Sequence, residues 1–262
     1  MKTLIISIFV LIVASQISFA TTTHGDISKD DIKVEKPEEQ NIQNRIADAF
    51  MNSFATQNNS KMTSLIDELS SLYDQRKNSL FLYWKGYALY YNSIIYLKTG
   101  DKENAYEELK KGIGSLESIE TKSSEDCVLL SMLHSFSCQF LGYPKVVQAS
   151  KDATGYIERA MKLDENNPRV YYVLANNDYY TPATYGGGSK VEQYALKTLS
   201  LPVQKMDNPY LPSWGRQESY ELLTSYYIKK KNMKQAKKYI ELGLAEYPDS
   251  HTLKYNNSKL PL

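Results

Sequence analysis

Four side chains suited to binding, Arg169, Tyr172, Asn176 and Tyr179, recur at spacings of three, four and three, which on an α-helix places them on one stripe. A cation, an amide and two phenols on one stripe suit recognition of a peptide or a carboxylated ligand, because each offers directed hydrogen bonds beside apolar surface. Immediately beyond runs Tyr179-Tyr180-Thr181-Pro182-Ala183-Thr184-Tyr185-Gly186-Gly187-Gly188-Ser189-Lys190. Glycines before a helix start can leave free N–H groups that cradle an anion. A phosphate-binding loop needs Gly-Lys-Ser/Thr after a strand, whereas Lys190 here follows Ser189 and no strand precedes it. The better reading of Tyr185, Gly186, Gly187 and Gly188 is a long interhelical loop that turns sharply and packs close to helix backbone, contributing to a binding surface from its side.

Other candidate chemistry is thinner. Cys127, His134 and Cys138 recur at seven and four. On a helix His134 and Cys138 can share a metal, but Cys127 lies about 16 Å from Cys138 at 1.5 Å rise per residue, too far to join them or to form a disulfide. Both cysteines read as small buried side chains, and no metal or cofactor is implied. Six lysines crowd Lys229 to Lys238, a solvated helix face before it is a patch for an anionic surface. No aromatic ladder accompanies them as single-strand nucleic acid would need, and 31 Lys+Arg against 30 Asp+Glu gives no global field for DNA or RNA. Neither a Gly-x-Ser-x-Gly elbow nor a His-Glu-x-x-His zinc motif occurs. Acidic pairs such as Glu107/Glu108 read as exposed charge, so the chain is expected not to be an enzyme.

The elements that must position these residues start after an export signal. Met1-Lys2, an apolar run from Leu4 to Ala14 and Ser18-Phe19-Ala20 form the pattern of a secretory leader cleaved near Ala20, and the run is short for a membrane span. Residues 21–40 are polar and charged and read as a flexible arm. The mature protein is therefore expected to be exported, periplasmic or secreted, with no transmembrane segment. From 41 to 250 apolar residues recur at three and four, and strand alternation is scarce. Ile46, Phe50 and Phe54 make one stripe, and Met62, Leu65, Leu69 and Leu72 the next. Ser79 to Lys98 carries two, Trp84/Ala88/Tyr91/Ile95 and Tyr83/Tyr87/Tyr90/Ile94, as a helix sandwiched between neighbours or facing a groove would. Asp101 after Gly100, Asn167 before Pro168, Ser189 with Glu192 and Ser213 before Trp214 read as helix starts. About ten helices in antiparallel pairs follow, an all-α fold, with 251–262 left as a C-terminal tail.

Near the C-terminus Tyr220, Leu223, Tyr227, Ala236, Ile240, Gly243 and Pro248 resemble one tetratricopeptide repeat, with small residues where helices touch. Leu89, Tyr96, Gly100, Ala105, Leu109 and Gly112 repeat it in part, as do Ala153, Ile157, Ala160 and Leu163 running into Tyr171, Leu174 and Ala175. The steps from Ala105 to Ala153 and on to Ala236 exceed the usual 34 residues, so the array is degenerate. The alternative is an unrelated helical bundle. The Pro–aromatic–Gly-Gly loop and Pro212-Ser213-Trp214-Gly215 are also similar to stretches in exported repeat proteins, including periplasmic subunits of TRAP-type transporters. The resemblance implies helix pairs stacked as a right-handed solenoid whose first helices line a concave surface. Tyr87, Tyr90, Ile94 and Leu97 would then join Arg169, Tyr172, Asn176 and Tyr179 in a tyrosine-rich groove for a protein or peptide partner. A small-ligand carrier serving a transporter is the second reading. It predicts an enclosed pocket lined by Tyr87, Tyr90 and Tyr172, where a partner predicts an open groove.

Overall fold

A computed structural model describes residues 41–203, 208 and 210–260; the expected leader (1–20) and arm (21–40) lie outside the described residues. The fold is all-α. Among the described residues the helices are α1 (Ile42–Thr56), α2 (Ser60–Arg76), α3 (Ser79–Lys98), α4 (Lys102–Glu117), α5 (Ser124–Ser137), α6 (Lys145–Leu163), α7 (Pro168–Tyr180), α8 (Val191–Ser200), α9 (Arg216–Lys229), α10 (Met233–Glu246) and α11 (His251–Lys259), with short 3-10 turns at Cys138–Phe140 and Ala183–Tyr185. No helix is long and apolar enough to cross a membrane among them. Successive helices pair most extensively as α3/α4, α5/α6, α7/α8 and α9/α10, and the first helices of these pairs also touch in sequence, α1 on α3, α3 on α5, α5 on α7 and α7 on α9.

Local chemistry explains most of the boundaries. The Asp101 carboxylate accepts the Asn104 N–H at the start of α4, and the Asn167 amide oxygen accepts the Arg169 N–H with Pro168 in the first turn of α7, each satisfying a helix-end donor. Two expected starts are corrected. Helix α8 begins at Val191, and Ser189 donates to the Gly186 carbonyl instead of capping; the Asp178 carboxylate takes the Lys190 N–H across the loop. Helix α9 begins at Arg216, where Glu218 accepts the Gly215 N–H at 2.6 Å. Ser213 and Trp214 both donate their N–H groups to the Gln43 side chain of α1, so Ser213 ties the loop to the first helix and caps nothing. The stretch read as a tail is also folded: α11 buries Leu253 completely, and Ser250 caps it.

Helix α3 is the centre of the larger core. It buries residues all round, from Phe81 to Leu97, because α1, α2, α4 and α5 all pack on it. It meets α4 through Gly86 and Gly112; a Cβ on Gly112 would lie 3.2 Å from the Gly86 carbonyl oxygen, so small residues set this close approach. A second core of α7 to α11 gathers Tyr179, Tyr220, Leu223, Tyr227, Ala236 and Ile240. Tyr172 packs against both cores.

Candidate functional site

Trp214 joins the two halves of the site. It is 2% exposed, donates its indole N–H to the Tyr83 hydroxyl at 2.7 Å, stacks on Tyr87 at 5.6 Å and meets Tyr172 edge-on at 5.9 Å. Offset and edge-on pairs of this kind add to the apolar burial of each ring. The Arg169 guanidinium lies 6.0 Å from the indole ring and donates to the Trp214 carbonyl.

Arg169 therefore does not stand on an open groove, contrary to what its place on the stripe leads one to expect. It is 1% exposed. Its Nε donates to Glu125 Oε2 at 2.5 Å and its Nη2 donates to Glu125 Oε1, a two-pronged bond between α7 and α5. Asn167 donates to the same carboxylate. Desolvation works against the guanidinium charge, and the adjoining Glu125 carboxylate more than offsets it, so its pKa is raised. A charge taken out of water is held only where a partner compensates it, and here the pair joins α7 to α5. Tyr87 is also core, packed against Trp84, Tyr91 and Trp214. Tyr179 is 7% exposed in the second core, with the Lys229 ammonium 4.9 Å from its ring. The three tyrosines expected to enclose a pocket do not share one surface.

A surface does form from Tyr90, Tyr91, Tyr172, Asn176 and Tyr180, all half-buried on α3 and α7. Tyr90 meets Tyr91 and Phe136 edge-on, and Tyr91 continues to Phe50 of α1. Tyr172 and Tyr180 lie close enough to Tyr90 to affect its electrostatics and each other's. Desolvation raises the phenol pKa of Tyr90, Tyr91 and Tyr172 strongly and pushes Tyr180 up to about 12. These phenols are thus only partly open to water, and burial among neighbouring side chains disfavours their ionised form.

Acidic side chains adjoin these tyrosines, a feature not anticipated from the sequence. Glu218 is half-buried on α9 beside Tyr87, Tyr91 and Tyr172. Desolvation, then the neighbouring Glu221 carboxylate, raises its pKa to about 7. Desolvation also raises Glu221, which accepts from Gln217 and Ser250. Carboxylates three residues apart on a helix look like surface charge in a sequence; only the packing of α9 against α7 turns them inward. A raised acid pKa means the folded state holds more protons than the unfolded one between about pH 4.5 and 7, so its contribution to stability falls as pH rises through that window and the penalty is complete above it. Glu218→Gln is expected to gain stability over the parent progressively from pH 4.5 to 7, with little gain below; urea midpoints across that range check it.

The glycine loop holds no anion cradle. The Tyr185 and Gly187 N–H groups donate to the Pro182 carbonyl, Gly186 to Ala183 and Gly188 to Asp178. Gly186 and Gly188 have φ of 86° and 84°, and a Cβ on Gly187 would stand 2.0 Å from the Thr181 carbonyl oxygen, so the loop needs glycine for its turn and its close packing. Tyr185 projects from it, 71% exposed. The cysteine–histidine group is likewise apart: Cys127 and Cys138 are free thiols, Cys138 points at the His134 and Val146 carbonyls, and the His134 ring stacks on Tyr156, with burial lowering its pKa. No three metal-ligating side chains converge among the described residues. Shallow depressions around Tyr143 and Lys145, and between α1 and α2, lie away from the tyrosine surface.

Neither a protein-family model nor a curated protein matches the sequence. Among solved structures, the chain is similar in fold to the HusA haemophore from Porphyromonas gingivalis, with a TM-score of 0.52 and 20% identity over 74% of this chain and 96% of that one. The chain thus shares an all-helical fold with that structure and carries a cluster of half-buried tyrosines on α3 and α7.

Proposed function

We propose that this is an exported, non-catalytic binding protein that holds a flat, largely apolar small ligand of the porphyrin class against the tyrosine surface of α3 and α7. The observation that carries this reading is the set of half-buried, desolvated tyrosines Tyr90, Tyr91, Tyr172 and Tyr180 over the Trp214 hub. Faces and edges of such rings grip a planar ligand by apolar burial, while phenols hydrogen-bond its rim. The likeness to a haemophore fold supports the ligand class. Among the described residues the donor set fits the flat face of haem better than axial ligation by imidazole, since His134 is stacked on Tyr156 outside the tyrosine set and His251 is exposed at the start of α11. In this reading the helix pairs stack as a tetratricopeptide-like solenoid with the odd-numbered helices on its inner wall.

Haemin titration with absorbance and tryptophan-emission readouts tests the proposal. Saturable binding is expected, weakened about 10- to 30-fold in Tyr172→Ala, the loss typical of an aromatic anchor. A folded Tyr172→Ala and a folded Tyr90→Ala that both bind like the parent would sink the groove. A peptide or protein partner is the second reading, favoured by Tyr185, which stands exposed on the adjoining loop; binding of envelope proteins without any haemin binding would select it.

A further inference from the structure

A separate surface lies at the other end of α9. Lys229, Lys230, Lys231, Lys234, Lys237 and Lys238 are all exposed around the turn that joins α9 to α10, and residues 229–240 contain no Asp or Glu. None of the six forms a salt bridge among the described residues, although lysines elsewhere, such as Lys110 and Lys111, pair with acids on their own helix. Three of them lie over buried rings: Lys229 over Tyr179 at 4.9 Å, Lys230 over Tyr226 at 4.5 Å and Lys238 over Tyr239 at 5.2 Å. In these three contacts the ammonium group itself rests on a ring face while the residue stays exposed, and Lys231, Lys234 and Lys237 are exposed with no such ring contact among the described residues.

The placement opposes local stability. The first turn of α10 carries Lys234 and no acid, although the positive end of the helix dipole favours anions there. Like charges at this density repel one another. A corner kept cationic against both effects is complementary to an external polyanion. The residue choice indicates which kind. All six are lysine and none is arginine; lysine is a mobile point charge, depleted from protein–protein interfaces, whereas arginine supplies the fixed fork of a stereospecific contact. At the apex stands Met233, 36% exposed, the one large apolar side chain among these cations able to enter an interface.

We infer that the α9–α10 corner docks the protein on an anionic lipid surface, by diffuse attraction of its lysines to headgroup phosphates. This does not rest on the proposed ligand of the tyrosine groove.

The test is co-sedimentation, with protein recovered from the exported fraction after expression of the full chain. Vesicles are phosphatidylcholine alone or phosphatidylcholine mixed with phosphatidylglycerol. Binding is expected only to the mixed vesicles and should fall steeply with added salt. Lysines near such a surface contribute roughly fivefold each, so K230Q/K231Q/K234Q/K237Q should weaken binding by on the order of several hundred-fold. The corresponding Lys→Arg variant should retain it, and K61Q/K77Q/K85Q/K102Q, with the same change in net charge, should lose much less. Circular dichroism verifies that helix content is kept. Absence of binding to mixed vesicles, equal binding to both vesicle types, or an equal loss in the two Lys→Gln variants would overturn the inference. Tighter capture by immobilised polyglutamate than by mixed vesicles would also overturn it, in favour of an acidic protein partner.

Discussion

Arg169→Ala is expected to lower the unfolding free energy by about 3 kcal/mol, near the low end for breaking a buried ion pair, because Glu125 keeps 25% side-chain exposure and can recover some hydration. Two guanidinium nitrogens bind that carboxylate and a third reaches the Trp214 carbonyl; alanine abandons all three and leaves Glu125 with only the Asn167 amide. Arg169→Lys should recover little, since a single ammonium cannot reproduce a two-pronged bond. Urea unfolding of Arg169→Ala, Glu125→Gln and the double variant checks this through a non-additive cycle. Strict additivity, or an unchanged midpoint in Arg169→Ala, would return Arg169 to the ligand-contact role that its sequence stripe first indicated.

The second large effect belongs to Trp214. Trp214→Ala should cost about 3–5 kcal/mol, the range for truncating a buried aromatic, since it empties the space between Tyr87, Tyr172 and Arg169. Trp214→Phe keeps most of the ring but leaves the buried Tyr83 hydroxyl without its indole donor, an unsatisfied group costing about 1–3 kcal/mol. The order parent, Phe, Ala in thermal or urea unfolding is the expected result. A loss in Trp214→Ala no larger than that in Trp214→Phe would mean that Trp214 is not the joint between the two halves of the site.

What the sequence shows well is local. Spacing at three and four marks the helices, and Asp101 and Asn167 mark two starts, because capping is decided within a few residues. The stripe Arg169, Tyr172, Asn176, Tyr179 is on one helix as expected, but its four members end in different surroundings. Arg169 is claimed by Glu125, 44 residues earlier, and Tyr179 by the second core. Trp214 meets Tyr83 across 131 residues, a distance no periodicity reports. Tyr87 and Tyr90 share a stripe three residues apart, yet Trp214 covers Tyr87 and leaves Tyr90 half-exposed. Glu218 and Glu221 go unnoticed for the same reason, since their burial comes from neighbouring helices. The Pro212-Ser213-Trp214-Gly215 motif was visible in the sequence, and its meaning lies in the contacts of Trp214 with α1, α3 and α7.

In the proposed function the ligand sits on the tyrosine surface of α3 and α7. Hydrogen–deuterium exchange with and without haemin tests it most directly, because protection maps onto helices independently of any substitution. Slowed exchange is expected in α3, α7 and the first turns of α9, with α2, α6 and α10 unchanged. Protection confined to other helices, or none at saturating haemin, would contradict it.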